Sequence, residues 1–263
     1  MKAILFDMDG VLYVGDRPIE GAAETLDWCR REGIPFRFVT NTTSRPRAAL
    51  VEKLAAIGIA TTVDEIITPP VAANAWLRDH VDGPVAAFVP ERTRAEFADL
   101  PLAADDATRA AAVIIGDLGE DWDFAALNRA FRLVFEQPDT PLVALGLTRY
   151  WQAEDGPRLD AGPFVRALEY ALGSEAVVMG KPGRGFFEAA LASLGVEPAQ
   201  AVMIGDDIRG DVDGAMQAGL AGVQVRSGKF RESDLGLGIE PTAVIESIAD
   251  LPDWWPGNRR TIR

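Results

Sequence analysis

The chain has 263 residues, 48% hydrophobic and 25% charged, a soluble globular composition long enough for one large domain or two ordinary ones. Its net charge of −14 argues against a nucleic-acid partner, because such binding rests on Lys and Arg neutralising phosphates. A small phosphorylated substrate stays compatible, provided that a metal or a local lysine reverses the sign at the site.

The opening run KAILFDMDGVL, residues 2–12, predicts a buried strand with Asp7 and Asp9 where it runs out. Strand alternation would aim both to one side. Two carboxylates roughly 4 Å apart repel by about 4 kcal/mol at an effective dielectric near 20. The pair is therefore either a solvated strand end or half of a cation site. Gly10 and Gly15 bracket a turn, and a helix from near Gly21 to Gly33 places Ala22, Leu26 and Cys29 on one face. Cys29 is the sole cysteine, so it cannot form an intrachain disulfide, and its place in that pattern predicts a buried small hydrophobe. Residues 35–40 predict a second strand, followed by the polar loop Asn41, Thr42, Thr43 and Ser44. Ser44 is a candidate N-cap for a helix with Leu50, Leu54 and Ile57, stopped by Gly58. Residues 64–68 predict a third strand, and this alternation is that of a parallel sheet with crossover helices.

Pro69 and Pro70 mark a boundary. Beyond it, strands at 85–90, 111–117 and 142–147 accompany a helix bearing Leu127, Phe131 and Val134, and another over 163–172. At Gly180 the style of the first segment returns. A helix with Phe187, Leu191 and Leu194 leads to an apolar run at 201–207 that ends in Asp206 and Asp207. A short helix to Ala218, a strand at 221–225 and a helix near 243–251 follow, and Trp254 and Trp255 are expected to dock onto the core. His80, the sole histidine, is expected at the surface. No apolar run approaches the roughly 20 residues of a membrane span, and the first residues read as a strand rather than a signal peptide. The expectation is no membrane partner and a cytoplasmic location.

Four polar features fall at strand ends or just before helices: Asp7 with Asp9, Thr40 with Asn41, Lys181, and Asp206 with Asp207. Each alone has a plain explanation as a turn, a solvated lysine or an N-cap. In an open parallel sheet, however, ligands gather at the carboxyl ends of the strands, where such residues would meet. Clustered carboxylates suit Mg²⁺, which takes oxygen ligands and keeps several waters. Lys181 and the Thr40 hydroxyl are candidates for holding phosphate oxygens. A carboxylate attacking phosphorus would form an aspartyl-phosphate and split a very slow hydrolysis into two steps.

DMDGVL at 7–12, VTNTT at 39–43, GKP at 180–182 and GDDIRGD at 205–211 resemble the four ordered motifs of the haloacid dehalogenase superfamily of phosphohydrolases. The long gap between Asn41 and Lys181 places the inserted cap as in its NagD-like branch. The stretches GPFVRALEYALGSEAVVMGKP and AVMIGDDIRGDVDGAMQAG, with RSGKFRESD behind them, further resemble the subfamily acting on phospholysine, phosphohistidine and inorganic pyrophosphate. The resemblance implies an α/β fold: a Rossmann-like parallel-sheet core over 1–68 and 180–263, with a smaller α/β cap inserted at 69–179. It implies Asp7 as nucleophile, Asp9 as acid and base, and Mg²⁺ held by Asp7, Asp206 and the Asp9 carbonyl. Thr40, Asn41 and Lys181 would bind the transferring phosphoryl group. Asp207 and Asp211 would orient the metal's waters and Lys181 from behind. It also implies a small phosphorylated substrate and pairing of two copies through their caps.

Many NagD-like caps carry Ala-Thr-Asn-x-Asp near the substrate, where this chain has LGLTRYWQAEDG. Arg149, Tyr150 and Trp151 are therefore candidates for reading the leaving group, with core packing of the two aromatics the alternative. A signalling receiver domain would need a phosphorylated aspartate on a later strand, and the Thr40 strand has none. A non-catalytic phosphate sensor or scaffold that keeps the pocket is the remaining alternative.

Overall fold

A computed structural model describes residues 1–43, 45–153 and 155–259, so the Ser44 cap lies outside the described residues. In chain order the main elements begin with β1 (Ala3–Asp7), α1 (Ala22–Arg31), β2 (Phe36–Val39), α2 (Arg47–Ala56) and β3 (Ile66–Ile67). There follow α3 (Pro69–His80), β4 (Val85–Phe88), β5 (Ala112–Ile115), α4 (Phe124–Phe135), β6 (Leu142–Ala144), α5 (Ala161–Leu172) and β7 (Val177–Val178). The last are α6 (Arg184–Ala192), β8 (Ala201–Gly205), β9 (Ala221–Val225), β10 (Ala243–Ile245) and α7 (Leu251–Arg259). Two compact units result: Met1–Thr40, Arg47–Ile67 and Phe187 onward form the first, and Asn41–Pro46 with Thr68–Phe186 the second.

The first unit is built on a parallel sheet in the order β10-β9-β8-β1-β2-β3. β1 is central and every one of its residues is buried, which is why AILF reads as a continuous apolar run, rather than an alternating one, up to Asp7. From β1 the chain order runs outward in both directions, to β2 and β3 on one side and β8 to β10 on the other. That is the arrangement that opens a crevice at the carboxyl edge. Under the sheet, Phe6 meets Phe36 edge-on at 5.7 Å between centroids, and Phe36 meets Phe38 at 5.3 Å. Leu26 and Cys29 of α1 join this core. Burial pushes the Cys29 thiol up to about 12, so it stays protonated and inert. Trp255 is 1% exposed in the same cluster and anchors the C-terminal helix, with Trp254 packed beside it.

The expected helix near 243–251 is not there. Ala243, Val244 and Ile245 are instead the edge strand β10, with Ala243 opposite Val223 and Ile245 opposite Val225. The β-branched pair favours a strand. Ser247, accepting from the Ala249 N–H at 3.2 Å, then caps a short turn at Ile248–Asp250 before α7 begins. Apolar residues at 245, 248 and 251 have helical spacing, but they belong to three successive elements.

The second unit has its own parallel sheet, β7-β6-β5-β4, and its own core of Phe88, Val113, Ile115, Leu133, Val165 and Leu168 among others. Asp123 caps α4 through the Ala126 N–H at 2.7 Å, and Asp160 accepts from the Ala161 N–H at the start of α5. An antiparallel hairpin, Tyr150–Ala153 with Gly156–Leu159, projects from it. His80 lies exposed at the end of α3, its ring stacked on Trp76 at 4.5 Å. Among the described residues no helix is long and apolar enough to cross a membrane.

Candidate active site

In the first unit, the strand register brings the acids together. Phe6 lies opposite Ile204 on β8, and Asp7 lies opposite Val39 on β2, so Asp7, at the end of β1, shares one sheet edge with Thr40 and Asp206, which directly follow β2 and β8. Asp7, Asp206 and Asp211 are 6%, 1% and 2% exposed, and one carboxylate oxygen from each lies within 4.8 Å of the others. Buried carboxylates this close repel strongly unless protonated or joined by a cation. An all-oxygen donor set fits a hard divalent cation such as Mg²⁺. Thr40, also buried, takes its place beside β3 through its N–H to the Ile67 carbonyl at 3.1 Å.

Glycine makes the crowding possible. A Cβ on Gly10 or Gly228 would overlap the Asp206 carboxylate, and one on Gly205 would overlap the Asp211 side chain. Gly10 also sits at φ 91°, in the left-handed region. Gly10→Ala is therefore expected to destabilise the fold by about 2–4 kcal/mol, from overlap and strain together. Gly15→Ala, at φ 61° with open space around it, should cost only about 1–2 kcal/mol. Urea denaturation of the two variants measures the difference, and equal losses would mean that backbone strain alone matters.

The remaining acids behave differently from one another. β1 ends at Asp7, so strand alternation does not reach Asp9, which is exposed in a turn bridged to Tyr13. That turn is closed by Gly10 N–H to the Tyr13 carbonyl at 2.7 Å and Leu12 N–H to the Met8 carbonyl at 2.9 Å. Asp207 caps the π-helical turn Ile208–Asp213, its Oδ1 accepting from the N–H groups of Arg209 and Gly210 at 3.0 and 2.9 Å. Asp211, on that turn, reaches back so that its Oδ2 accepts from the Asp207 N–H at 3.2 Å. Asp211 thus shares the acid cluster, while Asp207 shapes the loop that delivers it.

Lys229 escaped the motif reading, where it stood only within the stretch RSGKFRESD. Its N–H donates to Asp206 Oδ2 at 2.7 Å. Desolvation pulls its ammonium pKa down, but the attraction of Asp206, Asp7, Asp211 and Asp207 outweighs this and holds the pKa above the ordinary lysine value. The available signal was the run Ser227, Gly228 and Lys229 in the turn just after an apolar strand.

In the second unit, Asn41 and Lys181 clamp each other across 140 residues of sequence. Asn41 Nδ2 donates to the Lys181 carbonyl at 2.9 Å, and the Lys181 N–H donates to Asn41 Oδ1 at 2.7 Å. Gly180 suits the approach, since a Cβ there would come 3.3 Å from Asn41 Oδ1 and 2.7 Å from the Leu145 carbonyl. Lys181 is 7% exposed. A small cavity of about 20 Å³ lies beside Asn41, with Asp117 and Asp160 in its wall. Burial raises the Asp160 pKa; the Ala161 N–H opposes this and the Asp117 charge adds to it.

Tyr150 and Trp151 are 56% and 43% exposed, which rules out core packing for both. The Arg149 guanidinium lies 6.0 Å from the Tyr150 ring centroid. Trp151 helps line a cavity of about 760 Å³ within this unit, together with Arg92, Asp117, Glu120, Arg158 and Phe164.

Two family models match the chain: haloacid dehalogenase-like hydrolase over residues 4–102 and HAD-hydrolase-like over residues 178–251. The chain is 39% identical to human phospholysine phosphohistidine inorganic pyrophosphate phosphatase over 238 residues, covering 89% of this chain and 86% of that one. Among solved structures it is similar to a p-nitrophenyl phosphatase from Archaeoglobus fulgidus, with a TM-score of 0.84, 27% identity, and coverage of 96% and 98% of the two chains. NagD from Escherichia coli K-12 shares the fold at a TM-score of 0.82 and 23% identity, over 95% of this chain and 98% of its own.

Proposed function

The chain belongs to the haloacid dehalogenase-like hydrolase family and is a phosphohydrolase, and we propose that it works through an aspartyl-phosphate on Asp7 with Mg²⁺ as cofactor. The observation that carries this reading is the buried triad of Asp7, Asp206 and Asp211, whose oxygens lie within 4.8 Å of one another. Asp7, Asp206 and the Asp9 carbonyl would hold the ion, with Asp211 close enough to join them or their waters. Bound there, Mg²⁺ would offset the acids and polarise a phosphoryl oxygen.

In this reading an Asp7 oxygen attacks phosphorus and the P–O or P–N bond to the leaving group breaks. The Asp9 carboxyl protonates the departing atom, then takes a proton from the water that cleaves the acyl phosphate. The Thr40 hydroxyl and N–H groups near Asn41 hold phosphoryl oxygens, and Lys181 neutralises their charge. The mutual clamp with Asn41 supports that role, because it fixes the backbone from which the Lys181 side chain extends. Asp207 holds the Asp211 loop in shape.

Residues 1–68 and 180–263 then serve as the catalytic core and residues 69–179 as the inserted cap. Arg149, Tyr150 and Trp151, exposed on or beside the cap hairpin, are proposed to meet the leaving group. The substrate is a small phosphorylated molecule: a phosphomonoester, a phosphoramidate or pyrophosphate. Exposed Phe124, Phe135 and Tyr170 on α4 and α5 support pairing of two copies through the cap, which light scattering in solution would test. The lone buried cysteine supports a cytoplasmic setting.

Phosphate release from p-nitrophenyl phosphate, titrated with MgCl₂, tests the reading. Release that requires Mg²⁺ and is lost in Asp7→Asn is expected. Binding of phosphate without any turnover would favour the scaffold alternative.

A further inference from the structure

One segment outside the four motifs reaches both acid-bearing loops. After β9 the chain turns through Ser227, Gly228 and Lys229. Ser227 Oγ donates to the Gly10 carbonyl at 2.6 Å, and the Lys229 N–H donates to Asp206 Oδ2 at 2.7 Å. Gly228 lies between these bonds at φ 66°, and any Cβ there would overlap Asp206 and press on the Gly10 Cα at 2.5 Å. Just before the turn, Gln224 is fully buried and donates through Nε2 to the Asp206 carbonyl at 2.7 Å and the Val225 carbonyl at 2.8 Å. The Asp206 backbone is thus held from β9, one of its carboxylate oxygens is fixed by Lys229, and the Asp7–Gly10 turn is tied to the same strap. The Lys229 side chain adds a positive charge in the field of four aspartates.

We propose that Ser227–Lys229 is a positioning strap for the acid site, and that the Lys229 ammonium is its resident counter-cation, setting how tightly the carboxylates take a divalent ion. The second half of this inference rests on reading the acids as a metal site; the first half does not. Without metal, Lys229 lowers the mutual repulsion of Asp206, Asp7, Asp211 and Asp207. When a divalent cation arrives, the same charge competes with it for the acids.

The test uses the full chain, with thermal melting followed in the absence of metal and across an MgCl₂ titration. Lys229→Met should melt several degrees lower than wild type without metal in low salt, with much of the loss recovered in about 0.5 M KCl as the repulsion is screened. Its MgCl₂ midpoint should fall by about tenfold, the order expected when one neighbouring unit charge leaves a partly screened site. Lys229→Arg should match wild type in both respects. Ser227→Ala keeps the charge but loosens the strap, so its MgCl₂ midpoint should rise about threefold, the size of one modest hydrogen bond. Wild-type melting and midpoint in Lys229→Met would overturn the proposal. So would Lys229→Arg behaving like Lys229→Met, or a Lys229→Met whose only change is a higher KM for p-nitrophenyl phosphate. Should wild type itself ignore MgCl₂, the metal reading fails; the salt-dependent melting of Lys229→Met then decides the counter-cation, and a Ser227→Ala that melts like wild type would overturn the strap.

Discussion

Asp7→Asn should lower phosphatase turnover by on the order of 10⁴-fold or more, the scale of removing a nucleophile, while raising the melting temperature of the metal-free protein. The two effects have one origin. Asp7, Asp206 and Asp211 are all at most 6% exposed, and an oxygen from each lies within 4.8 Å of the others. The fold holds like charges together in a place where water screens them poorly. An amide at position 7 keeps the shape and removes one charge, so the strain stored at the site falls. A relief of about 1 kcal/mol would raise the melting temperature by roughly 2–4 °C in a chain of this size. The stabilisation by MgCl₂ should shrink in parallel, since one donor has lost its charge. Activity assays with melting curves, with and without MgCl₂, check all three. Residual turnover above about one part in a hundred would point to another nucleophile. A lower metal-free melting temperature would show that the contacts of the Asp7 carboxylate outweigh the repulsion. Stability gained where function is lost marks a site shaped for chemistry.

The central strand and its acids were legible because both signals are local. AILF, residues 3–6, is apolar without a break between Lys2 and Asp7, as suits a strand buried on both faces. The clamp between Asn41 and Lys181, by contrast, joins residues 140 positions apart, and only their separate motifs could suggest a shared neighbourhood. Two features were hidden for definite reasons. Residues 243–251 have apolar spacing that suits a helix, yet the hydrogen-bonding edge of β9 recruits Ala243, Val244 and Ile245 as a strand. A free edge of that kind is a tertiary fact, invisible to local periodicity. Lys229 was hidden because its link to Asp206 is a backbone N–H, which leaves no residue-type signal, and because its side-chain charge meets acids that lie far away in sequence. Asp207 and Asp211 looked interchangeable in GDDIRGD, but the π-helical turn separates them, making one a cap and carrying the other into the cluster.

Asp9→Asn should act on the chemistry with almost no effect on the fold, the opposite pattern to Asp7→Asn. Asp9 is exposed and its turn is closed by backbone bonds, Gly10 to Tyr13 and Leu12 to Met8, which an amide side chain leaves alone. Its stability should stay within about 0.5 kcal/mol of wild type. The proposed role has two parts, and the first turnover separates them. An alkoxide leaving group needs a proton, so the first turnover on an alkyl phosphate should slow by about 10²–10⁴-fold, the range of a lost general acid. p-Nitrophenolate departs without one, so phosphorylation of Asp7 by p-nitrophenyl phosphate should remain fast. Hydrolysis of the acyl phosphate would then lack its base, and the phosphorylated enzyme should accumulate. Rapid mixing of Asp9→Asn with p-nitrophenyl phosphate is expected to give a burst of about one p-nitrophenolate per enzyme, followed by a slow steady state. The alkyl phosphate should give no burst. First turnovers slowed equally for both substrates would remove Asp9 from the acid role, and a fast steady state after the burst would remove it from the base role. An exposed carboxylate next to a buried one would then need a different division of labour, with the proton supplied by another group or by water.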